Sequence, residues 1–324
     1  MKKSLIFLFS ALALVACKRI PLYDPQSDVY LKVNYVSPDV KLNDDIDIEN
    51  DPYLHEKVYG IRPDNVRVCF YDPLTHRMVA EDYLPAEGGF VDIPAGTYDL
   101  IVYGLGTEAT IVKDTETRAM AYAYTSLTGT RVRVLGNETR ATEEFNIIFE
   151  PDHLFAASKE GVVIPVHADI DKPVVIEVDA TTLLESYSFE VLNIEGAGRI
   201  QKADIYITGQ APGKYLWDRR FPATPGAIWF QADINVEKGH IYTVFNTFGK
   251  LPRERNDVFL NVLVTDTQGS RYQWVYDVTN QFDNPDNTNH EIIIDDPIII
   301  PEGGGGGFNH EVHAWEEEVI YIPL

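Results

Sequence analysis

Between residues 65 and 103, short apolar runs are cut repeatedly by proline and glycine. Residues 66–71 alternate and stop at Asp72-Pro73. Residues 77–84 stop at Pro85. Glu87-Gly88-Gly89 turns the chain into residues 90–93, and Pro94-Ala95-Gly96 turns it again into residues 97–103. Alternation places every second side chain on one face of a strand, while proline and glycine set the breaks through their fixed and permissive φ angles. Short strands with turns this close together predict an antiparallel sandwich.

The same style extends in both directions. Residues 29–35 read as a first strand; residues 130–135 and 144–149, joined through Gly136-Asn137, complete the first set, with 119–127 as strand or loop. The pattern changes over residues 150–161, where Pro151-Asp152-His153 breaks the strand. Beyond it, apolar β runs follow at 162–168, 174–178, 188–194, 200–208, 227–234, 241–248, 257–266 and 273–278. One helical turn is expected at 181–185, capped by Asp179 or Thr181. Helix signals are otherwise nearly absent. The fold expected is all-β, with two tandem antiparallel β-sandwich domains at 29–158 and 159–324. Residues 41–55 are acidic and unpatterned and are expected to form an exposed loop. Their carboxylates are a candidate calcium site, although no defined loop spacing or placed glycine accompanies them.

The first sixteen residues have the parts of an export signal: Lys2 and Lys3, an apolar run from Leu5 to Val15, and a cleavage site. The run is shorter than the roughly 20 residues a spanning helix needs. It ends in Leu14-Val15-Ala16-Cys17, the pattern of a lipobox. Cleavage before Cys17 and acylation of its thiol and amino group are expected, with residues 17–28 as a lipidated tether. Stable membrane attachment takes at least two hydrophobic signals, which a multiply acylated cysteine supplies.

Charge narrows the partners. The chain carries −23; both basic residues of the signal are lost on cleavage while all 50 acids remain, leaving −25. Nucleic acid and anionic lipid both require a basic face, so neither is an expected partner. With Cys17 acylated, Cys69 is the only other cysteine, and no disulfide framework exists. In Val66-Arg67-Val68-Cys69-Phe70 it lies opposite the valines, as a half-buried small residue.

Catalytic patterns are lacking: no nucleophile elbow, phosphate loop or HExxH occurs, and no enzyme activity, cofactor or metal is expected. His310 and His313 lie beside Glu311 and Glu316, but the five glycines at 303–307 argue against a rigid metal-binding helix there. Trp217, Trp229, Trp274 and Trp315 could serve core packing or a sugar-stacking platform. Trp315 and the apolar end formed by Val319, Ile320, Tyr321 and Ile322 follow the glycine hinge and are candidates for docking on a partner, or for pairing within their own domain.

Three segments carry a resemblance. Ile93-Pro94-Ala95-Gly96-Thr97-Tyr98-Asp99-Leu100 resembles the hairpin of transthyretin-like β-sandwiches. Residues 181–191 (TTLLESYSFEV) and 203–209 (ADIYITG) resemble the second domain of Bacteroidales fimbrial anchor lipoproteins of the FimB-like kind. The resemblance implies two transthyretin-like domains and a non-enzymatic, lipid-anchored subunit that anchors or helps assemble a surface pilus, with pilin or other fimbrial subunits as partners. The alternative is a glycan-binding surface lipoprotein. An outer-membrane location at the cell surface is implied; Lys18-Arg19, in place of an acidic run after Cys17, leaves the periplasmic face open. Substituting Cys17→Ser is expected to abolish incorporation of radiolabelled palmitate, read on an immunoprecipitated chain; unchanged labelling would refute acylation at this position.

Overall fold

The computed structural model describes residues 26–38, 40, 50–135, 142–166, 173–252 and 257–302. Strands are numbered in chain order. Seven make the first sheet: β1 (Gln26–Val36), β2 (Asn65–Tyr71), β3 (Met78–Pro85), β4 (Gly88–Pro94), β5 (Gly96–Gly104), β10 (Phe155–Ile164) and β11 (Val174–Thr182), in the order β3-β2-β5-β10-β11-β1-β4. The second sheet holds β8 (Leu127–Leu135), β9 (Thr142–Phe149), β12 (Glu185–Val191), β14 (Ile200–Gln210), β16 (Gly226–Asn235), β17 (His240–Thr247), β18 (Phe259–Asp266), β19 (Arg271–Asp277) and β20 (Glu291–Ile294). Its main order is β19-β18-β14-β16-β17-β12-β20, with β9 joined to β16 and to β8. A small sheet comprises β6 (Thr110–Lys113), β7 (Tyr122–Thr125) and β15 (Gly213–Tyr215), and β13 (Ile194–Glu195) pairs with β21 (Ile298–Ile299). Two short α-helices are described, α1 (Pro52–Tyr59) and α2 (Thr279–Asp283).

The first sheet wraps one core. Val29, Leu31 and Val33 of β1 meet Val66, Val68 and Phe70 of β2 and the inward residues of the other five strands. Its two edge strands, β3 and β4, are consecutive in the chain; they lie side by side at the turn joining them without sharing a ladder. A second cluster fills the second sheet around Phe189, Phe230 and Phe245. A third lies on the outside of the first sheet, where Cys69, Tyr71 and Ile101 are covered by Ala121 and Ala123 of the small-sheet region and by Leu216. Each fully buried Val, Leu, Ile or Phe side chain in these clusters contributes roughly 1.5–3 kcal/mol by leaving water.

The all-β, sandwich-type class is as expected. Pairing is mostly antiparallel, but β1–β11, β9–β16, β12–β20 and β13–β21 are parallel. In each parallel pair the strands come from separate parts of the chain, so no hairpin dictates their direction.

The expected division at 158/159 falls inside β10. β10 and β11 belong to the first sheet, while β8 and β9, expected to complete that sheet, pair into the second. The chain therefore crosses between the sheets and returns before β12. The helical turn expected at 181–185 is replaced by the end of β11 and the start of β12. Part of the acidic stretch is helical: Asp51 caps α1 by accepting the Tyr53 and Leu54 N–H groups, with Pro52 at the first helical position.

Gly88 sits at φ +97°, where an added Cβ would fall 1.9 Å from the Leu31 carbonyl oxygen on β1. Gly269, at φ +86°, has open space around the same position. A left-handed non-glycine backbone costs about 1–3 kcal/mol. Gly88→Ala is therefore expected to lower the urea midpoint further than Gly269→Ala, because only the first also pushes β1 away from β4. Equal losses would refute the steric part.

Candidate anchoring site

β1 is the described strand nearest to Cys17, beginning nine residues after it. It lies between two partners. Val29–Val36 run parallel to Val174–Thr181 of β11, and Gln26–Lys32 run antiparallel to Pro94–Gly88 of β4. The alternation of its sequence sends Val29, Leu31 and Val33 inward, where they are almost completely buried. The outward residues make surface contacts. Lys32 meets Glu177 at 3.0 Å, the Asn34 amide donates to Asp179 at 3.0 Å, and Tyr30 meets Phe90 edge-on at 5.2 Å. An exposed ion pair contributes at most about 1 kcal/mol, so β1 is held chiefly by its two ladders and its core face.

At its far end β1 approaches a buried polar junction between the sheets. Lys57 of α1 and Glu150, just after β9, form an ion pair at 3.1 Å; the other Glu150 oxygen accepts the Asn246 N–H of β17 at 2.8 Å. Burial raises the Glu150 carboxyl, and the Lys57 ammonium opposes that rise. The Lys57 carbonyl accepts both from the Asn246 amide and from His153 Nε2, each at 2.9 Å. Because that nitrogen faces a carbonyl, it carries the proton; Nδ1 therefore accepts from the Thr182 hydroxyl at 2.6 Å. Ser186 of β12 donates to Asn246 Oδ1 at 2.7 Å. Val58 of α1 is fully buried in the same place.

The expected site residues divide into two groups. Leu14, Val15, Ala16 and Cys17, and Trp315, Val319, Ile320, Tyr321 and Ile322, lie outside the described residues, as do His310 and His313. Among the described residues, no three His, Cys, Asp or Glu side chains gather as a metal site. The three described tryptophans do not form one platform. Trp217 lies under the Arg118 guanidinium at 4.0 Å, Trp229 donates to Asp204 at 3.1 Å, and Trp274 packs on the second core. Cys69 faces away from the valines as expected, but it is fully rather than half buried because the third cluster covers that face. Burial pushes its thiol up to about 11. The junction was not foreseen; the local sign of it was Asp51-Pro52, a cap followed by a first-turn proline.

A family profile described as a domain of unknown function, DUF5119, matches residues 55–227, which is more than half of the chain. The chain belongs to the DUF5119 family. The matched region runs from α1 through Glu150, His153 and Ser186 of the junction into β16; Asn246 lies beyond it. Over 189 residues this DUF5119 chain is 25% identical to Fim4B of Bacteroides ovatus, a protein assigned as a candidate fimbrium anchoring subunit. That match takes in 58% of the chain and 47% of Fim4B, so the chain spans about half the length of the curated relative it matches. A solved candidate adhesin from Bacteroides ovatus shares the fold with a TM-score of 0.61 at 19% identity, over 89% of this chain and 98% of that one.

Burial lowers the His153 pKa below its ordinary value of 6.5. Its contribution to stability is therefore present above about pH 6.5 and is lost as pH falls through the depressed folded value. Glu150, with its raised pKa, acts in the opposite sense, losing stability as pH rises from about its ordinary value. His153→Gln retains a donor for the Lys57 carbonyl and leaves Glu150 in place. The wild-type chain is expected to lose more melting temperature than this variant between pH 7.5 and 5.5; parallel losses would refute the role of His153.

Proposed function

We propose that this DUF5119 protein is a non-enzymatic, lipid-anchored subunit of the cell envelope that anchors, or helps assemble, a surface fimbrium. The likeness to Fim4B carries this reading. The placement of β1 supports an anchoring role: the strand that follows the Cys17 tether is buried between β11 and β4, so a pull on the tether acts on the body of the fold. Pilin or another fimbrial subunit is the partner, with Trp315 and Val319, Ile320, Tyr321 and Ile322 as the proposed docking segment. The outer membrane is the proposed site of attachment through the lipid on Cys17.

The test is a chromosomal Cys17→Ser replacement in the source organism. Expected are fimbriae released into the culture medium and depleted from washed cells, counted by immunogold microscopy. If the fimbriae stay cell-bound with normal abundance while the protein has lost its lipid, the anchoring role falls. Recovery of bound glycan with no fimbrial subunit on the purified protein would favour the glycan-binding alternative.

A further inference from the structure

Pairing registers place several turns at one end of the first sheet. Gln26 of β1 lies opposite Pro94, Val29 opposite Val174, and Gly96 opposite Ile164. Tyr71 lies between Asp99 and Met78, so the β2–β3 turn emerges at this end too. The polar junction and the start of β12 lie at the other end, where Phe155 meets Thr182. The end with these turns is therefore the tether end.

This end presents apolar side chains to solvent. Leu74, on the β2–β3 turn, is 90% exposed. The turn is fixed by Asp72, whose carboxylate accepts the Leu74 and Thr75 N–H groups at 2.9 and 2.7 Å. Val166, following β10, is exposed, and so is Val163 within it. Four residues in from this end on β1, Val175, Tyr30 and Phe90 form one outward row across β11, β1 and β4, with Val175 and Phe90 exposed. Grouped exposed apolar side chains mark a contact surface, whereas scattered ones need no explanation.

The geometry points to a lipid bilayer as the occupant: the tether end of the first sheet rests on the membrane that holds the Cys17 acyl chains, with Leu74 and Val166 at the contact and the Val175–Tyr30–Phe90 row beside it. This inference rests on the anchoring reading above. The length of chain outside the described residues selects this occupant. Eight residues separate Cys17 from Gln26, and the nine residue steps between them span at most about 30 Å. The tether end therefore stays close to the bilayer whenever the lipid is inserted. The net charge of −25 on the processed chain disfavours anionic headgroups, so the contact is with the apolar boundary of zwitterionic lipid.

The experiment uses the full acylated chain carrying Leu74→Cys, reconstituted in phosphatidylcholine–phosphatidylethanolamine vesicles and labelled with a nitroxide. Cys17 is acylated and Cys69 is fully buried, so the label goes to position 74; Tyr53→Cys on α1 is the reference at the other end of the sheet. Expected are loss of collisions with a water-soluble nickel complex and gain of collisions with oxygen at position 74, with position 53 unchanged from solution. A label at 74 as accessible to nickel as that at 53, in acylated and vesicle-bound protein, overturns this inference and leaves anchoring standing. Chain recovered without acyl groups overturns both. Protection of position 74 in vesicle-free Cys17→Ser protein means that another protein surface covers it, and also overturns the inference.

Discussion

The last turn of α1 leaves backbone carbonyls without partners inside the helix, and the Lys57 carbonyl, at the junction of the two sheets, is met by side chains instead. A buried carbonyl must be satisfied. The Lys57 oxygen takes one hydrogen bond from His153, which leads into the first sheet, and another from Asn246 in the second. Glu150 makes the requirement stricter, since it is held by the Lys57 ammonium and the Asn246 N–H together. Leaving a buried charge without its partner typically costs 3–5 kcal/mol. A rotation of one sheet against the other would break several of these contacts at once, so the relation between the sheets follows from how one short helix ends.

The path of the chain reinforces that relation. β8 and β9 enter the second sheet before β10 and β11 close the first. Neither sheet is complete without segments from both sides of the expected division, and the small sheet likewise joins β6 and β7 to the distant β15. Cutting the chain at 158/159 would split β10 and separate β1 from β11, its parallel partner.

Local features were legible in the sequence. The breaks at Pro73, Pro85, Gly88 and Gly96, and the inward face of β1, follow from alternation and turn chemistry. Strand partners were not, because a β9 that joins β16 has the same apolar pattern as one that joins the first sheet. The Thr181–Glu185 segment carried capping residues, yet the continuing ladder of β11 with β1 outweighed that local preference. β6 and β15 are too short to stand out from loops, and without them the outer face of Cys69 reads as half open. The junction residues were hidden because their contacts join positions up to 189 residues apart.

Parallel pairing between β1 and β11 has a mechanical meaning. β1 begins at one end of the first sheet, and β11 continues toward β12 and the second sheet at the other. A force drawing the N-terminal end of β1 and the second sheet apart slides the two strands along each other. In that direction the successive hydrogen bonds between residues 29–36 and 174–181 bear the load together, in shear, instead of opening one at a time as in a zipper.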